Sequence, residues 1–132
     1  MLTLKTKNRE FVDLINGLFK VQDLQGVRFG LVVSKNIRIL QQELKDLEEA
    51  SQASPEFIEL SQKVNSLGED AEAIAKLEAE STDLVEERKN QLLEIDKMME
   101  ESAEIKLHGI KEDILPENIT AAQIVGIDKI LE

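Results

Sequence analysis

His108 is the one side chain here whose ordinary pKa suits proton transfer near neutrality. It lies in AEIKLHGIKEDILPENIT (Ala103 to Thr120), between an apolar–polar alternation and one of the chain's two prolines. Nucleophilic catalysis would need a base oriented by a third group, together with a positioned Ser or Thr. No Gly-x-Ser-x-Gly elbow is present. His108 and Glu112 stand four apart, a metal-friendly spacing on a helix, but Gly109 puts a turn between them. One histidine with scattered carboxylates makes a poor transition-metal set. No cysteine exists, which removes thiolate ligands, thiol chemistry and disulfides. His108 therefore reads as an exposed strand residue. We assign no catalytic residue, no metal site and no cofactor, and the expectation is that the protein is not an enzyme.

The carboxylates form runs: Glu48-Glu49, Glu69-Asp70 with Glu72, and Glu86-Glu87. A helix-bundle di-iron site needs Glu-x-x-His on each of two helices, which a single histidine cannot supply. A Ca²⁺ loop needs acids at alternate positions around a central Gly, and none matches. These runs read as a solvated acidic face, with mimicry of DNA phosphates as the sharper alternative.

Arg28, Lys35 and Arg38, with Lys45, fall on one side of a helical pattern. They are the candidate surface for an anion or an acidic partner; the plainer reading is a solvated face. GVRFG and LHGIKED lack the spacing and the Lys-Ser/Thr ending of a phosphate loop. An oligomer could still gather Arg28, Lys35 and Arg38 around a nucleotide.

The elements that would position these residues follow from periodicity. Leu2 and Leu4 alternate with Thr3 and Lys5, which predicts a strand over about 2–6. Asn8 is the expected cap of a short helix with Phe11, Val12, Leu14, Ile15, Leu18 and Phe19 on its apolar face, weakened by Gly17. The first long helix spans 27–53, where Val33, Ile37, Leu40, Leu44 and Leu47 step by 4, 3, 4, 3 as a packing or oligomer seam. Ser54 and Pro55 open a returning helix over 54–100, with Phe57, Leu60, Val64, Leu67, Ala71, Ile74 and Leu77 continuing the seam. Gly68 with Asp70 predicts a break, and beyond it Ser81 and Arg88 interrupt the apolar stripe. Ile105 and Leu107 alternate with Glu104 and Lys106, a second strand over about 103–109 whose natural partner is the first. Asn118 or Thr120 caps a last short helix.

The expected fold is mainly α (α+β): an antiparallel hairpin or bundle of long helices, with a two-stranded sheet joining the two ends. A chain of 132 residues suits one domain, divided into 1–26, 27–53, 54–100 and 101–132.

Two stretches carry a resemblance. NREFVDLINGLFKVQDLQGVRFGLVVSKNIRILQQELKDLEE has a short apolar helix, a Leu-x-Gly step and a long helix through Lys35-Asn36. LEIDKMMEESAEIKLHGIKEDILPENITAAQIVGIDKILE has a helix, an E-I-x-L strand, a D-x-L-P-x-x-I-T turn and a final helix. Together they resemble small, acidic, functionally uncharacterised proteins of tailed bacteriophages, over roughly two-thirds of the chain. The likeness is one of layout, and the middle (about 51–82) lies outside it. It implies action in the cytoplasm of an infected bacterium and brings no catalytic residues.

Charge bounds the partners. The net charge of −11 disfavours direct nucleic-acid binding, which relies on clustered Lys and Arg. Residues 1–40 carry seven bases against three acids, whereas residues 41–100 carry 17 acids against six bases. No apolar run reaches the ~20 residues that span a bilayer, so no membrane is expected. An apolar seam with few aromatics predicts a homo-oligomer, most simply a two-fold dimer. The functional expectation is a non-enzymatic module that binds or inhibits a host or phage protein. A nucleotide-sequestering oligomer and a tail or capsid assembly factor are the alternatives.

Overall fold

A computed structural model describes all of residues 1–132 and shows a mainly helical chain with one small sheet. Strand β1 (Leu2–Lys7) pairs antiparallel with β2 (Ser102–Leu107), matching Leu2 to Leu107, Leu4 to Ile105 and Lys5 to Glu104. The period of two puts Leu2, Leu4, Ile105 and Leu107 on the inner face and the oppositely charged Lys5 and Glu104 on the outer one. Where length suggested one domain, the chain divides into two compact units: residues 1–46 with 99–132, and residues 47–98.

In the first unit, β1 runs straight into α1 (Asn8–Val21), so Lys7, not Asn8, occupies the cap position. The Asn8 N–H is taken by the Glu101 carbonyl at 2.9 Å, and Glu10 accepts from the Lys7 N–H at 3.4 Å. Phe11, Leu14, Ile15, Leu18 and Val21 of α1 are buried, while Phe19, expected on that face, is 37% exposed. They pack with Phe29, Val33, Ile37 and Leu40 of α2 (Val27–Ser51), with Ile105 and Leu107 of β2, and with Ile110, Ile127 and Ile130. Each fully buried side chain of this size contributes roughly 1.5–3 kcal/mol, which makes this cluster the main source of stability.

Gly17, a weak point by helix propensity, is required by packing. A Cβ there would fall on the carbonyl of Gly126, at the end of α6 (Ala121–Gly126). Thr120 caps α6 with a reciprocal box: its hydroxyl accepts from the Gln123 N–H, and the Gln123 side chain accepts from the Thr120 N–H. The apolar pattern beyond Gly126 continues as a 3₁₀ turn, Asp128–Ile130. The last residues are tied down by Ile110, whose N–H donates to the Ile130 carbonyl at 2.7 Å and whose carbonyl accepts from the Glu132 N–H at 2.8 Å.

In the second unit, the returning stretch, expected to break near Gly68, breaks twice and forms three helices: α3 (Pro55–Ser66), α4 (Ala71–Glu80) and α5 (Thr82–Glu100). Ser54 caps α3 by accepting from the Phe57 N–H at 3.2 Å, with Pro55 in the first turn. Gly68 takes φ +61°, the left-handed conformation that ends a helix cheaply only for glycine, and Asp70 then caps α4 by accepting from the Ala73 N–H. The second break, at Ser81, needs no glycine: the Thr82 hydroxyl donates to the Ala79 carbonyl and closes the end of α4.

Candidate functional site

Asn36 is fully buried on the apolar side of α2, between Val33 and Ile37. Its side-chain amide donates to the His108 carbonyl and its side-chain oxygen accepts from the His108 N–H, both at 2.8 Å. β2 stops at Leu107, short of residue 109, where its partner strand begins at Leu2, and the backbone groups of the next residue pair with a side chain, not with a strand. His108 thus serves through its main chain. Glu112 lies in a separate 3₁₀ turn, Glu112–Ile114, and no three His, Asp or Glu side chains converge as a ligand set.

Arg28, Lys35 and Arg38 are exposed on α2. The Arg38 Nε is 3.4 Å from the Ser34 carbonyl one turn back. The same outer face carries Val27 at 90% and Leu31 at 51% exposure, so it mixes bases with uncovered aliphatics. Of the seam, Val33, Ile37, Leu40 and Leu47 are buried and Leu44 is half-buried. Val33, Ile37 and Leu40 belong to the core of the first unit, with Leu44 packed against it.

The strongest ionic contact in the first unit is structural. Lys7 and Arg9 both donate to the Glu100 carboxylate, at 2.8 and 3.0 Å. The hydrogen bond from Lys7, then that from Arg9 and the attraction of Lys7, hold the Glu100 carboxyl below its usual range. The same hydrogen bond and the charge of Glu100 raise Lys7. All three side chains are about half exposed, so this is a clasp at the surface.

The second unit holds a concave site. Phe57, Leu60, Ser61, Val64 and Asn65 of α3 face Thr82, Val85, Glu86 and Lys89 of α5 across a cleft of about 580 Å³, with Glu78 of α4 also lining it. The spacing on each wall, i, i+3, i+7, is that of one helix face. Arg88, read in the sequence as an interruption, holds this unit together. Its guanidinium donates to the Ser51 carbonyl at 3.1 Å and to Gln91 at 2.8 Å, and lies 6.0 Å from the Phe57 ring centroid. Gln91 in turn donates to the carbonyls of Ala50 and Gln52. Together they satisfy the orphan carbonyls at the end of α2, where no base stands in the last turn. The signal was present: a lone Arg with Gln three residues later on an apolar stripe.

Packing here is sparse. Within residues 47–98 only Leu47 and Leu60 are buried, whereas Ile58, Val85, Leu92 and Leu93 are 41–55% exposed. Fourteen acids against five bases give this unit −9 of the chain's −11.

Comparison with protein-family models, curated proteins and solved structures finds no match to this chain. No helix is long and apolar enough to cross a membrane.

Proposed function

We propose that this chain is a non-enzymatic, phage-encoded protein-interaction module that binds, and by binding inhibits or recruits, another protein. The observation that carries the reading is the unit of residues 47–98, where four large aliphatics stay 41–55% exposed beside an apolar cleft. Apolar surface left uncovered and rimmed by charge marks a binding face. The first unit, with its closed core and clasped ends, acts as the scaffold that presents it.

A photo-crosslinking residue at Leu93, introduced into the protein expressed in its bacterial host, tests this. The expected result is one discrete protein adduct, lost when Leu92 and Leu93 are changed to Ser and absent when the crosslinker stands at Glu117. Native mass spectrometry of the gently purified protein is the companion measurement. A retained mass in the nucleotide range that disappears when Arg28, Lys35 and Arg38 are neutralised would replace this reading with ligand sequestration. An adduct consisting only of tail or capsid subunits would narrow it to virion assembly.

A further inference from the structure

We infer that the cleft between α3 and α5 is a docking groove for one amphipathic helix with a basic outer face. The inference rests on the interaction reading above and specifies the partner's chemistry. Phe57, Leu60, Val64 and Val85 supply apolar contacts from both walls, at the spacing that receives side chains one helical turn apart. A helix is the partner form that offers anchors at i, i+3 or i+4 and i+7 to such a trough. The pocket volume, about 580 Å³, accommodates several aliphatic or aromatic anchors.

Charge selects among helices. Glu78 and Glu86 line the groove, with Lys89 the one cation among the lining residues, and the surrounding unit carries −9. A second copy presenting this same acidic unit would bring −9 against −9, and an acidic helix would meet the same repulsion. A helix bearing Lys or Arg along its flanks instead pairs with the rim while its apolar stripe fills the floor.

The test uses the full-length protein and three synthetic probes of about five helical turns: an amphipathic Leu/Lys helix, its Leu/Glu counterpart, and a Leu/Lys peptide with the same composition but scrambled apolar spacing. Binding is read by fluorescence anisotropy, with circular dichroism confirming that each variant stays folded. We expect the Leu/Lys helix to bind at least about tenfold more tightly than either control, and more weakly as salt is raised.

Val85→Glu separates a groove from mere charge attraction. It adds an acid at a site already 41% exposed, so simple attraction of a basic peptide would strengthen, whereas loss of the apolar wall weakens docking by about tenfold or more. Tighter binding to V85E, or equal binding of the scrambled peptide, overturns the groove. Preference for the Leu/Glu helix, still abolished by V85E, overturns the basic partner and leaves the interaction reading standing. Self-association of the protein that V85E abolishes would assign the groove to a second copy and overturn the proposal.

Discussion

Asn36 and His108, 72 residues apart, are joined by a pair of 2.8 Å hydrogen bonds in which the Asn36 amide pairs with the backbone just beyond β2. The amide is fully buried, and it satisfies both backbone groups of the residue that follows β2. Neither partner could be replaced by water at this depth without opening the core around Val33, Ile37 and Leu107.

Truncating the amide should therefore be costly. Asn36→Ala strands the His108 N–H and carbonyl, at about 1–3 kcal/mol for each unsatisfied group. Urea unfolding should show a loss of at least about 2 kcal/mol. Asn36→Asp keeps an acceptor for the N–H but sets an oxygen against the His108 carbonyl, so its deficit should shrink as the pH falls and the new carboxyl protonates. A variant within experimental error of the parent would show that these bonds do not hold β2.

Two glycines should respond oppositely to alanine. At Gly17 the added methyl meets backbone of Gly126, which cannot yield as a side chain would, and overpacking of this kind costs typically about 1–3 kcal/mol. At Gly30, inside α2, nothing lies within 4 Å of the added carbon. Gly30→Ala should raise stability by up to about 1 kcal/mol through helix propensity. Thermal unfolding of the pair checks this; equal effects would mean that α1 and α6 are not in close contact.

Arg88→Met should leave the apolar contacts of α5 and remove the cap on α2. Loss of a charged hydrogen bond at a helix C-terminus is worth about 1–2 kcal/mol here, since the group is only partly buried. Hydrogen exchange should quicken in residues 47–52 first. Faster exchange confined to α1 instead would contradict this cap.

The Lys7–Glu100–Arg9 clasp predicts a pH dependence with two signs. The carboxyl of Glu100 is depressed on folding, so its contribution is present above the ordinary carboxyl pKa of 4.5 and is lost as the pH falls through the lower folded value. The ammonium of Lys7 is raised, so its contribution is present below 10.5 and is lost as the pH rises through the higher folded value. Glu100→Gln should flatten both limbs relative to the parent, in low salt more than in high. Parallel pH profiles for the two proteins would remove the clasp from the account.

What the sequence made legible was local. Alternation in LTLKT and in EIKL marks the two strands, and the side-chain chemistry of Ser54, Asp70 and Thr120 marks three helix starts. Each depends on residues within one turn of one another. Three positions that local pattern does not explain act over long range. Gly17 reads as a soft spot until Gly126 is brought beside it, and Arg88 as an interruption until the end of α2 is. Asn36 is a polar residue at a core position of α2, and only the arrival of His108 explains it. The cleft was equally hidden, because the break at Ser81 that separates Glu78 on α4 from Val85 and Glu86 on α5 carries no glycine or proline.

The first unit is made of two stretches separated by residues 47–98, and the contacts that close it, from the β1–β2 register to the Asn36 pair, all reach across that interval. The entropy of closing a loop grows only with the logarithm of its length, so doubling the interval would cost about 0.6 kcal/mol. The scaffold is therefore nearly indifferent to what is carried between its halves. Mutation can lengthen, shorten or re-charge the inserted helices while the closing residues stay as they are, so this architecture can change what it binds without having to learn again how to fold.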